Sequence, residues 1–275
     1  MDATPNARRI GPEKEFEARL EAFRRDAIDC VQALYAYLTI HYVAGKNRET
    51  WHAINSQAGF WNPILRGLQV ALIIGLGRVF DTTSQHNIQK LQDAARTNVG
   101  IFSRFALARR KIRSGALPRT NFRVYFEDVA SLKVADVDRI GRLIRPHRRL
   151  YVGAYDALRD KIFAHTEIID SENISEMFSK TNLKRLQQLV AFLYSFHGAY
   201  QGAFQNGHRL VLRPTRHSVG NMLRRPKGRA VVKCAQELIC ESTAVFLRSV
   251  AVANVKRAPR LKRSRVRVVT RTRRP

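Results

Sequence analysis

Carboxylates nearly vanish from the last third of this chain. Residues 177–275 hold only Glu237 and Glu241 against 22 lysines and arginines, and no acid follows Glu241. Residues 1–176 carry 27 basic and 20 acidic side chains, so the formal charge of +27 is concentrated at one end. Such a gradient excludes a polycationic partner and favours a polyanion: RNA, DNA or an anionic membrane surface. Cysteine is scarce too. Three residues, Cys30, Cys234 and Cys240, form no Cys-x-x-Cys, which argues against a disulfide framework and a tetrahedral zinc site and fits a reducing cytoplasm. Cys234 and Cys240 fall in an apolar helical pattern and read as small core residues. Long apolar runs are also missing. Leu68–Phe80 is interrupted by Gln69 and Arg78, and the amino-terminal residues lack a signal-like apolar core, so the reading is cytoplasmic, with no membrane span. There is no Gly-x-Ser-x-Gly elbow and no P-loop, and the histidines His41, His52, His86, His147, His197, His208 and His217 have no metal-ligand spacing. No metal and no cofactor are expected.

What is present is an apolar share of 45%, enough for a core, arranged at helical spacing. Phe16, Leu20, Phe23, Ala27, Val31, Leu34, Leu38 and Tyr42 make one stripe over about 12–43, with Glu13, Glu15 and Glu17 where the macrodipole favours anions. Helices are predicted over 49–57, 62–81, 88–95 (capped by Asn87), 101–114, 133–145, 147–167, 182–206 and 229–254. The 62–81 helix is apolar almost all round and is expected at the centre. Gly75 and Gly77 within it are read as close-packing positions. Pro63 suits its first turn, and Pro146 is expected to break or kink the chain. A β-like scrap, 122–126, interrupts a loop. Leu186, Val190, Leu193, Tyr200 and Phe204 define the buried face of 182–206. The fold class is therefore all-α, a bundle of about six to eight helices. A flexible 1–11 precedes a helical domain over 12–206. A basic linker with a carboxy-terminal helix (207–255) and a disordered Arg/Lys-rich tail (256–275) follow.

One constellation carries chemistry. Along 147–167, Tyr151, Tyr155, Leu158 and Ile162 form a stripe that His165 continues, and Arg159 lies at its edge, about 120° around the axis from His165. A titratable imidazole at the end of a buried face, with a guanidinium one and two-thirds turns earlier, makes a candidate site. A helix-end histidine that only packs or caps fits the spacing as well. Upstream, Arg78 and Asp81 stand at i and i+3 and can form an ion pair.

The string Leu-Arg-Asp-Lys-Ile-Phe-Ala-His, residues 158–165, resembles the Arg-x(4–6)-His motif of the HEPN superfamily, with Asp160 as the polar residue after the arginine. Leu76-Gly-Arg-Val-Phe-Asp81 is similar to the upstream helix end of its abortive-infection, AbiU-like branch. The resemblance covers roughly 12–205. It implies a dimerising helical bundle and a metal-independent endoribonuclease. His165 would be general acid or base, Arg159 a phosphate clamp and Asp160 an orienting residue, with Arg78 and Asp81 supporting. A role in phage defence or as a toxin, with an antitoxin or regulatory partner, follows the same resemblance.

The cationic third adds Arg213, Arg216, Arg224, Arg225, Lys227 and Arg229 in a Pro/Gly-broken segment. Arg257, Arg260, Lys262 and Arg263 open a tail with ten basic residues in 20 positions. These read as RNA-backbone contacts; a solvated tail without a ligand is the plainer alternative. Two other functions stay open: a non-catalytic RNA- or DNA-binding module, and a regulatory dimer that docks a polyanionic partner.

Overall fold

The computed structural model describes residues 11–116, 129–156, 159, 182–224 and 233–257. Among them are nine α-helices and no strand. They are α1 (Pro12–Lys46), α2 (Arg48–Ser56), α3 (Ala58–Phe80), α4 (Ile88–Thr97), α5 (Arg104–Arg113), α6 (Val134–Tyr151), α7 (Leu183–Asn206), α8 (Val219–Arg224) and α9 (Ala235–Arg257). A 3₁₀ turn, Val99–Phe102, precedes α5, and a π-type turn, Val152–Asp156, extends α6. The all-α expectation holds. The β-like scrap at 122–126 lies outside the described residues, as does most of 147–167 beyond Asp156.

The hub is α1, which packs against α3, α4, α7, α8 and α9. Its predicted stripe is buried from Phe16 through Leu34, and Cys30, Ala33, Tyr35, Thr39 and Ile40 add further buried positions around the helix. That replaces the expectation that the apolar helix at 62–81 would be central. The main core takes the second half of α3, from Leu72 to Phe80; in the first half Trp61 is buried in a smaller cluster with Ile40, Val43 and Leu247, whereas Phe60 and Ile64 are exposed. α3 is 23 residues long and apolar enough to cross a membrane by length and composition, yet its most apolar end is part of the core. Two caps are as read or better: Asn87 accepts the Lys90 amide at 2.8 Å, and Asn47 accepts Thr50 at 2.7 Å to start α2.

Against α1, α7 buries Leu186, Val190, Leu193, Tyr200 and Phe204, the face read from sequence. Phe16 meets Phe102 edge-on at 5.1 Å and Phe204 at 5.2 Å. A buried polar link ties three helices. Tyr200 donates to Gln92 Oε1, and Gln92 Nε2 donates to the Val137 carbonyl. Gly141 makes this possible, since a Cβ there would stand 2.9 Å from the Gln92 amide.

Pro146 does not break the chain. α6 runs through it for 18 residues and continues into the π turn. Proline costs the Arg142 carbonyl its donor, and beside that gap His147 Nδ1 hydrogen-bonds Leu143 O at 2.8 Å while its ring stacks on Phe192 at 3.8 Å. Packing and a side-chain hydrogen bond thus hold the helix across the proline. Of the two cysteines read as core residues, Cys240 is buried and Cys234 only half-buried; Cys30 is buried as well.

His197 is buried on α7, and desolvation, helped by Arg24, pushes its imidazole down to about 4 against a smaller opposing pull from Glu21. The unfolded chain takes up this proton near pH 6.5 and the folded chain only near 4. Stability is therefore expected to fall as pH drops through that window, by on the order of 3 kcal/mol. Urea midpoints between pH 7 and pH 4.5 measure it, and His197→Gln should remove most of the slope.

Candidate functional site

The site begins where α3 ends. Asp81 caps that helix, its amide bonded to Gly77 O, and its carboxylate faces the start of the next turn. Thr83 donates to Asp81 Oδ1 through both its amide and its hydroxyl, each at 2.9 Å. Those bonds, the amide first, hold the Asp81 carboxyl below its ordinary range against partial burial, and Arg159 adds to the effect. The other oxygen, Oδ2, accepts Arg159 Nη1 at 2.8 Å.

The π turn after α6 brings Arg159 to this point. A π turn shifts the helix face by part of a turn, a device frequent at functional positions. Tyr151 and Tyr155, the first two members of the predicted stripe, are fully buried, and Tyr151 stacks on Phe80 at 5.5 Å. Tyr155 donates to the carbonyl of Asn182, the cap of α7, at 3.4 Å; burial pushes its phenol up to about 12. Arg159 Nη2 also lies 3.4 Å from Asp156 Oδ1, one turn earlier. Its side chain is 21% exposed, lying between core and solvent.

Gly77 lets this happen. A Cβ there would stand 2.8 Å from Arg159 Cδ and 3.1 Å from the Tyr151 hydroxyl. Gly75 does the same for Cys30, at 2.7 Å from its sulfur. Both glycines are close-packing positions, as the sequence indicated.

Of the predicted residues, Arg159 and Asp81 come together. Arg78 and Asp81 do not pair with each other: Asp81 takes Arg159, and Arg78 approaches Asp26 at 3.6 Å from a different face of α3. Asp81 is the C-cap, where the chain leaves the helix (ψ 127°), and the turn that follows brings Thr83 onto its carboxylate. His165 and Asp160 lie outside the described residues. So do Arg225, Lys227, Arg229, Arg260, Lys262 and Arg263, and Arg257 is the last residue of α9. Arg213 and Arg216 are exposed, whereas Arg224 folds back on Gly220 O and Asn221 Oδ1. Sequence reasoning missed Asp156 and Thr83. Asp156 could have been found from its i, i+3 spacing to Arg159. Among the described residues no group of three or more His, Cys, Asp or Glu side chains could hold a metal ion.

The AbiU2 family of the HEPN group matches residues 13–220. This chain belongs to that family. No curated protein and no solved structure matches it significantly. The AbiU2 match passes through both helix segments that meet here and continues beyond α7 into the non-helical residues 207–218.

Gly77→Ala tests the packing. At an open helix position such as Gly67, where nothing lies within 4 Å, alanine should stabilise by about 1 kcal/mol. At Gly77 the sign should reverse, with a loss of about 1–2 kcal/mol in urea unfolding. Asp81→Asn should cost about 1 kcal/mol alone. The double variant should lose less than the sum, because both displace the same guanidinium.

Proposed function

We propose that this AbiU2-family protein is a metal-independent endoribonuclease with Arg159 and His165 at its centre. The observation that carries this reading is the ion pair between Arg159 and Asp81, 78 positions apart. It joins the two sequence segments on which the family resemblance rests. A guanidinium held by a carboxylate keeps its direction, and a directed guanidinium grips phosphate oxygens bidentately and stabilises charge that grows on them.

In the proposed reaction the ribose 2′-hydroxyl attacks the adjacent phosphorus and loses its proton to a base. The bond to the 5′-oxygen breaks, and that oxygen takes a proton from an acid. A 2′,3′-cyclic phosphate and a 5′-hydroxyl result. His165 fills the acid or base role, since an imidazole changes charge near neutrality. Arg159 holds the phosphate, and Asp160 orients a partner group. Asp81, Asp156 and Thr83 position Arg159. The basic residues from Arg213 onward retain the RNA by their charge. Homodimer formation, control by an antitoxin or other regulatory protein, and a place in phage defence belong to the same proposal.

A second reading has its own support. Arg159 already bridges two carboxylates, Asp81 and Asp156. That is also the geometry of a structural tie in a non-catalytic RNA-binding module.

Cleavage of single-stranded RNA in excess chelator separates the two. His165→Ala should lower the rate by about 10²–10⁴ with binding retained. Arg159→Lys should lose activity too, because an ammonium cannot reproduce the planar fork. Unchanged cutting by His165→Ala would remove the site assignment, and firm binding with no cutting of any RNA pool would favour the second reading. Removal of residues 258–275 should weaken binding and flatten its salt dependence while cutting persists at saturating RNA.

A further inference from the structure

Away from Arg159, α7 borders an open groove of about 950 Å³. Gly207, at φ 66°, ends α7 and reverses the chain. Residues 208–217 then run back along the helix as an extended strap. His208 lies over Gly202, where a Cβ would stand 3.1 Å from its Nδ1. Five residues later, the Arg213 amide donates to Ser195 Oγ at 2.7 Å. Gly198 lies between these two points on the floor, with nothing within 4 Å of where its Cβ would be. Tyr194 stands at one side, and the strap supplies Arg209 and Arg213.

Several arginines of the body are matched to acids: Arg19 to Glu15, Arg24 to Glu21, Arg96 to Asp138, and Arg109 and Arg110 to the one carboxylate of Glu13. Among the described residues no carboxylate lines the groove, and the sequence has none between Glu176 and Glu237. Arg209 and Arg213 are exposed and have no acidic partner among the described residues. Two uncompensated forks beside an open floor form a polyanion site. The aromatic face of Tyr194 and the bare backbone at Gly198 favour a ligand with flat rings alternating with phosphates. An acidic peptide would use the arginines alone. Between one helix and one strap, a single strand with splayed bases fits better than a duplex.

We infer that the groove between α7 and the strap 208–217 is a track for single-stranded RNA, with Arg209 and Arg213 on phosphates and Tyr194 under a base. This rests on the RNA reading above and does not require cleavage. The test uses the full chain carrying His165→Ala, so that chemistry cannot intervene, and a fluorescent 20-nucleotide oligouridine containing 4-thiouridine. Arg209→Gln with Arg213→Gln should weaken binding at least about tenfold and reduce the slope of log affinity against log salt by about 1.4. Gly198→Glu, which has room for its side chain, should give a comparable loss with an unchanged thermal melt. Photo-cross-links should map to α7 and the strap. Unchanged affinity and slope in both variants, with cross-links confined to 258–275, would overturn the assignment. So would an equal loss of poly-glutamate binding, which would mark a site for acidic polypeptides. An active wild-type enzyme with indifferent groove variants removes the groove alone. Groove-dependent binding by a wild-type protein that never cuts removes the ribonuclease reading alone.

Discussion

A 35-residue helix with apolar side chains on more than one face must be covered from several directions, and this constraint organises the molecule. One stripe would need one partner. Cys30, Ala33, Tyr35 and Ile40, buried beside the stripe, call for α3 on one side and α7 and α9 on others. Once α3 is anchored by its carboxy-terminal half, its last residues are fixed in space. Phe80 stacks on Tyr151, Gly77 admits Arg159, and Asp81 closes the helix facing that guanidinium. The site is thus a by-product of covering α1. Its parts come from helix ends and one π turn, where the backbone leaves side chains at the boundary between core and water.

The arginines sort by the same logic. Arg110 is half-buried. It reaches Phe204 O at 2.6 Å and Ile101 O at 2.8 Å, and its guanidinium lies 4.0 Å over the Phe204 ring. Such a residue staples helices together, and its charge is offset by Glu13. Glu13 thus offsets one of the five positive charges on the helix at 104–113. The strap after α7 has no acid to pair with among the described residues, and its arginines Arg209 and Arg213 are exposed to solvent. Net charge is a poor guide to ligand surface; compensated charge and uncompensated charge have to be counted apart.

Much of this was legible in the sequence because burial imposes periodicity. The stripes of α1 and α7, the Asn87 cap and the packing glycines follow from spacing and residue type. Three features did not follow. The centrality of the 62–81 segment was misjudged because apolar composition does not say which half of a helix is covered. The break at Pro146 was misjudged because the stacking of His147 on Phe192 is a long-range contact. The Arg78–Asp81 pair was read from i, i+3 proximity, but at the carboxy-terminal cap Thr83 and Arg159 compete for the carboxylate and hold it. Asp81 found a partner 78 residues away instead, which no local rule anticipates. The strap 208–217 went unread for a similar reason, since its course is fixed by one left-handed glycine and by long-range contacts, among them the buried Leu210 and the bonds to Ser195 and Tyr35.

On the proposed reading, the two classes of arginine divide holding from reacting. A guanidinium clasped by two carboxylates has little reach and weak net field, but it has a direction. A misplacement of about 1 Å at a reacting phosphate can cost 10²-fold in rate, so direction is what chemistry needs. Arg209 and Arg213 have the opposite properties, with full charge, exposure and freedom, and these suit a backbone that slides in many registers. Along α7 at about 1.5 Å per residue, Ser195 lies some 20 Å from Asn182, whose carbonyl Tyr155 engages next to the site. A strand held in the groove would span that interval with a few nucleotides. Affinity lodged at one end of α7 could then present a phosphate at the other without loosening the residues that must stay rigid.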